Sequence, residues 1–83
     1  MKLLYFAWLR ARIGHGEEAF ALPEGVRDVA GLLAMLRARG GRYAEALKDL
    51  SVVKVAVNQD YVPHDHPIRD RDEVAIFPPV TGG

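Results

Sequence analysis

Gly82 and Gly83, the last two residues, are the pair in this chain best suited to do chemistry. A C-terminal carboxylate is a poor electrophile until it is activated, for example as an acyl-adenylate. Two glycines behind it make a stalk without Cβ atoms that can thread into a narrow active site. The approach to them, Phe77-Pro78-Pro79-Val80-Thr81, is stiff. Glycines also collect at frayed ends, so the weight of this assignment falls on what the rest of the chain contains and lacks.

It lacks a catalytic constellation of its own. His64-Asp65-His66 sits between Pro63 and Pro67. Two imidazoles and one carboxylate in a proline-bounded turn fall short of a metal site, and His15 is remote in sequence. A polar turn is expected there, with no metal. Asp70, Asp72 and Glu73 are interleaved with Arg69 and Arg71, which oppose a cation site. Arg10, Arg12, Arg37, Arg39 and Arg42 are expected on solvent faces. No glycine-rich phosphate loop, no Ser/His/Asp set and no general-acid pair in apolar surroundings is present. The chain has no cysteine, which excludes disulfides, thiolate metal sites and cysteine nucleophiles.

Eighty-three residues, 49% of them hydrophobic, suffice for one domain with a packed core, near the lower limit of what folds without staples. Eleven lysines and arginines balance eleven aspartates and glutamates, so neither nucleic acid nor an anionic membrane surface is the expected partner. No apolar run approaches the ~20 residues of a membrane span. The opening Met1-Lys2-Leu3-Leu4-Tyr5-Phe6 is too short for a signal peptide. The expected location is the cytoplasm.

These features must be positioned by a fold. Leu3 to Leu9 is a continuous apolar run that predicts a strand covered on both faces, with Leu4, Phe6 and Trp8 on one side. Arg10 to Gly16 supplies turn chemistry, and Glu17 to Leu22 alternates as the second strand of a hairpin. Asp28 is a helix N-cap, followed by Val29, Leu32, Leu33 and Leu36 at helical spacing and stopped by Gly40-Gly41. Tyr43 to Leu50 predicts a shorter helix. Val52 to Val57 reads as a strand, Asn58-Gln59-Asp60 as a turn and Tyr61-Val62-Pro63 as an edge piece. After a turn at Asp70-Arg71-Asp72 comes a final strand, Glu73 to Phe77, which Pro78-Pro79 ends. The order predicts an α+β fold of the β-grasp type: a mixed sheet with one main helix packed on one face. The strongly apolar first and last strands are expected to be central, adjacent and parallel. One helix covers only one sheet face. Phe6, Phe77 and Tyr61 are therefore surplus apolar residues, of the kind that mark a partner surface.

Val57-Asn58-Gln59, Asp65-His66-Pro67-Ile68 and the run Asp72 to Gly83 resemble the small subunits of molybdopterin synthase, a family of ubiquitin-like sulfur carriers. So does the opening Leu4-Tyr5-Phe6-Ala7 with Arg10 and Gly14. The resemblance spans essentially the whole chain, is strongest over its last ~30 residues and weakest in the helical middle. The ending Phe77-Pro78-Pro79-Val80-Thr81-Gly82-Gly83 is its most specific part.

The resemblance implies a single ubiquitin-like domain over residues 1–83 with a flexible tail at 78–83. It implies that an E1-like adenylyltransferase activates the Gly83 carboxylate with ATP, and that a sulfur donor converts it to a thiocarboxylate. The tail, narrowed by Gly82, then enters a large catalytic subunit and gives its sulfur to a cyclic pterin precursor of the molybdenum cofactor. No cofactor is bound by the carrier itself. Phe6, Tyr61, Phe77, Pro78, Pro79, Val80 and Thr81 would contact the partners. The physics is compatible with this scheme. A sulfur carrier without cysteine must hold sulfur at its acyl end, and Pro78-Pro79 limits the entropy lost on insertion. The six residues 78–83 reach at most about 20 Å when extended. A sulfur carrier for another cofactor, such as a thiazole, and a protein modifier that conjugates to lysines are the alternatives.

Overall fold

The computed structural model describes residues 1–79. The expectations placed on Val80, Thr81, Gly82 and Gly83 therefore lie outside the described residues.

Alternating burial sets the sheet. Strands β1 (Lys2–Tyr5), β2 (Glu17–Ala19), β3 (Lys54–Val57), β4 (Asp60–Val62) and β5 (Glu73–Phe77) form one sheet in the order β2-β1-β5-β3-β4. β5 is central and pairs parallel with β1, Leu3 opposite Val74 and Tyr5 opposite Ile76, as expected of the two most apolar strands. Its other neighbour, β3, is antiparallel, with Val55 opposite Ile76 and Lys54 opposite Phe77. Side chains of paired residues share a face. Leu3, Tyr5, Val55, Val57, Val74 and Ile76 therefore all point one way, and all are buried.

Helix α2 (Val29–Ala38) covers that side with Val29, Leu32, Leu33 and Leu36, each fully buried. Removing one such side chain from water contributes roughly 1.5–3 kcal/mol, which is what fixes the helix across the sheet. Its free amide groups are all accounted for. Gly31 N donates to Asp28 Oδ1 at 2.8 Å, Leu32 N to the Asp28 carbonyl at 3.0 Å, Val29 N to the His66 carbonyl at 3.0 Å and Ala30 N to the His64 carbonyl at 2.7 Å. The His64-Asp65-His66 turn is thus a helix cap made of main chain. The His64 ring is occupied as well, its Nε2 lying 2.9 Å from the Val53 carbonyl oxygen.

The β3–β4 hairpin closes through Asn58 and Gln59, with φ of 50° and 73°. Positive φ at both central residues is the turn whose twist suits a two-residue hairpin, and Asn tolerates it best among residues with a Cβ. Asn58 also ties the turn to β5, its Oδ1 accepting from Glu73 N and its Nδ2 donating to Asp72 Oδ1, each at 3.0 Å.

The first connection departs from expectation. β1 ends at Tyr5, and residues Ala7–Ile13 form helix α1 where a continued strand and an open turn were expected. Leu9 and Ile13, four apart, are both buried, while Trp8 and Arg12 stack on the outer side with the guanidinium 5.5 Å from the ring. Ala, Leu and Arg favour helix, and Gly14, at φ 100°, closes α1 in the left-handed conformation with its N–H on the Arg10 carbonyl. The turn into α1 is taken by Ala7 at φ 55°, so Trp8 does not share a strand face with Leu4 and Phe6. β1 and β2 do pair antiparallel, but a helix joins them, and β2 stops at Ala19 instead of Leu22. The short helix α3 runs from Gly41 to Ala46, starting two residues and ending four residues earlier than expected, and a 3-10 turn at Leu50–Val52 delays the start of β3 from Val52 to Lys54. The main helix is therefore accompanied by two smaller ones, and the β-grasp arrangement holds.

Candidate functional site

The sheet face opposite α2 is uncovered. Pairing places Leu4, Ala75, Ala56 and Tyr61 in one row across it, from β1 through β5 and β3 to the edge strand β4. The next row toward the end of β5 holds Phe77 opposite Lys54. Phe6 continues the extended backbone of β1 with its N–H on the Ile76 carbonyl at 3.1 Å, which puts it beside Phe77. The middle of the face is shallow because Ala56 and Ala75 are small. Tyr61 consequently reaches over β3 to Phe77, their ring centroids 5.3 Å apart and tilted by 43°. Tyr61 is 78% exposed and Phe6 47%, proportions that interior residues of this type do not show.

The three aromatic residues expected at a partner surface are thus gathered at one end of one face. That end is also where the chain leaves the sheet. β5 delivers Phe77 to its rim, Pro78 is partly buried and Pro79 is exposed. Tyr61, Val62, Pro63, Phe77 and Pro79 line a groove beside the exit. The parallel β1–β5 pairing is the cause, since it brings Phe6 and the end of β5 to the same edge.

A polar cluster at the β2 edge escaped the sequence reading. Glu18 projects to the helix side, where Oε2 accepts from Tyr5 OH at 2.8 Å and Tyr43 OH at 2.7 Å, and Oε1 accepts from Arg39 at 2.7 Å. His15 Nε2 lies 3.1 Å from Oε2. Partial burial of Glu18 opposes ionisation, but the hydrogen bonds from Arg39, Tyr43, His15 and Tyr5 outweigh it and hold the carboxyl at about 2. Burial, and then the adjoining carboxylate, push the Tyr5 phenol well above its ordinary value. Arg39 further lies over the Phe20 and Tyr43 rings, 5.1 and 5.0 Å from their centroids. Three distant segments are locked here, and the lock holds β2, and through it the α1–β2 loop, against the end of α2. Its five members, Tyr5, His15, Glu18, Arg39 and Tyr43, come from five different parts of the fold, so no local spacing announces it.

A β-grasp domain with an open aromatic face beside its exiting last strand is the class of protein that fold and face define. The ThiS family profile matches residues 3–83. The molybdopterin synthase sulfur carrier subunit of Escherichia coli (strain K12) is 42% identical over 83 residues, a match covering all of this chain and 99% of that one. A solved structure from Pyrococcus furiosus, titled as a candidate molybdopterin converting factor subunit 1, is 36% identical with a TM-score of 0.75 over 95% of both chains. A Helicobacter pylori structure, a complex of subunits 1 and 2 of molybdopterin-converting factor, shares the fold at 23% identity and a TM-score of 0.62, covering 99% of this chain and 96% of that one. The chain belongs to the ThiS family, and its full-length relatives are molybdopterin synthase sulfur carrier subunits. Among the described residues, no helix is long and apolar enough to cross a membrane.

Proposed function

We propose that this chain is the sulfur carrier subunit of a molybdopterin synthase. An E1-like adenylyltransferase joins the Gly83 carboxylate to AMP from ATP, releasing pyrophosphate. A sulfur donor displaces AMP to leave a thiocarboxylate. The open face then docks on the large catalytic subunit, Gly82 and Gly83 enter its active site, and the sulfur passes to a cyclic pterin precursor. Val80 and Thr81 line the entry path. The observation that carries this reading is the gathering of Phe6, Phe77 and Tyr61 at the edge where β5 releases the chain. It is the arrangement a carrier needs: the folded body supplies the docking energy by burying apolar surface, and the narrow end reaches the chemistry. The full-length identity to a molybdopterin synthase sulfur carrier subunit supports the choice of substrate over a thiazole precursor.

Intact mass of the chain after co-expression with the activating enzyme tests it. Replacement of one oxygen by sulfur is the expected result, whereas high-mass lysine conjugates would identify a modifier, and an unchanged mass would sink both. Deleting Gly83, or adding one residue after it, abolishes sulfur transfer while leaving the fold intact. Molybdopterin formation by such a variant in a reconstituted synthase would overturn the mechanism.

A further inference from the structure

Lys54 is a charged residue on the open face beside the chain exit. β3 is an interior strand, flanked by β5 and β4, so Lys54 does not serve the edge protection that usually places lysine on sheets. It points to the open face opposite Phe77, is exposed, and is the single charged side chain lining the groove of Tyr61, Val62, Pro63, Phe77 and Pro79. Among the described residues its ammonium forms no ion pair, and the cation–π contacts there belong to Arg12 and Arg39. Lys2, at the far end of the same face, is met by Glu17 at 3.6 Å. The far end of the face, with Lys2, Glu17 and Glu73, therefore holds its own acidic partners, whereas the groove beside the chain exit is cationic. A partner that buries Phe77 and Tyr61 strips water from the neighbouring ammonium, and that cost falls only if the partner supplies an anion.

We propose that Lys54 is the ionic anchor of the docking face. The large subunit presents an Asp or Glu carboxylate to its ammonium, and an apolar side chain beside that carboxylate fills the groove that Val62, Pro63 and Pro79 line next to the Tyr61–Phe77 pair. The pair lies next to Pro79, so it sets the register in which the tail begins its descent into the partner. This inference rests on the sulfur-carrier reading, because that reading names the partner.

Association kinetics of the full chain with the purified large subunit of the same organism test it. Lys54→Glu is expected to raise Kd at least about tenfold, through both slower association and faster dissociation, while Lys54→Met raises it several-fold and Lys54→Arg stays within about twofold. The gap between wild type and Lys54→Met should close as salt rises from about 0.05 M to about 0.5 M. Thermal midpoints of all three variants should match wild type, since the side chain is solvated in the free carrier. Phe77→Ala, run in the same assay, separates the two levels. If it weakens binding more than about tenfold while Lys54→Glu stays within twofold of wild type, the ionic anchor is overturned and the docking face stands. If neither changes binding, the docking face falls and the anchor with it.

Discussion

The two faces of the sheet are cut from the same five strands, yet they obey different rules. On the helix side, Leu3, Tyr5, Val55, Val74 and Ile76 meet Leu32, Leu33 and Leu36 and leave almost no surface to water. On the other side the same strands leave Leu4, Ala75, Phe77 and Tyr61 partly or largely open to solvent around a buried Ala56, with Lys2 toward one end and Lys54 toward the other. A folded-state core needs volume matched in three dimensions. A docking face needs a flat middle, aromatic anchors at one end and a means of staying soluble while unoccupied. In the proposed docking face, small residues at positions 56 and 75 provide the first of these and Lys54 the last. The difference teaches that the apolar content of a strand does not say what the strand is for. Which side of it an element covers does.

The comparison breaks most easily from the covered side. Leu36→Ala removes a fully buried anchor of α2 and should lower unfolding free energy by about 2–5 kcal/mol in urea titrations. Phe77→Ala, on the open side, should change stability by no more than about 1 kcal/mol. It should cost about 2 kcal/mol or more of binding to the large subunit, measured by calorimetry. If the two substitutions had the same profile, the division of labour between the faces would be wrong.

The polar lock sharpens the contrast further. Glu18 has a pKa of about 2 in the fold against an ordinary 4.5. A carboxyl depressed on folding contributes stability that is fully present above the ordinary value and is lost as pH falls through 4.5 toward 2. Glu18→Gln should therefore lower stability at pH 7 by about 1–3 kcal/mol, the scale of a charge-assisted hydrogen bond, and flatten the acid limb between pH 4.5 and 2. Equilibrium unfolding across that range decides it. The smallest effect belongs to Ala7. Its φ of 55° strains a residue with a Cβ by about 1–2 kcal/mol, part of which glycine forfeits as chain entropy. Ala7→Gly should raise stability by roughly 0.5 kcal/mol, read as a small upward shift in the thermal midpoint.

Elements whose periodicity is complete within the element were legible before any coordinates. β5 alternates cleanly, α2 carries a capped i, i+3, i+4, i+7 stripe, and Asn58-Gln59 is turn chemistry of a specific kind. The surplus of apolar residues at Phe6, Phe77 and Tyr61 was legible for the same reason. α1 was not, because Leu3 to Leu9 is an unbroken apolar run in which strand and helix periods cannot be told apart. The break falls at an alanine that gives no turn signal, although Leu9 and Ile13 followed by Gly14 were a helix end in plain view. The meeting of Tyr61 with Phe77 over Ala56 depends on register, and the Glu18 cluster on tertiary approach, so neither is written in local spacing.

The parallel pairing of β1 with β5 has a mechanical consequence. β5 is held on both sides, by β1 and by β3, and it is the strand from which the proposed sulfur-bearing end leads off. A pull along the tail loads both ladders lengthwise, in shear, so their bonds must yield together instead of opening one after another as in an unzipped hairpin. In the function proposed above, a carrier withdrawn from its partner after each delivery would thereby come out whole.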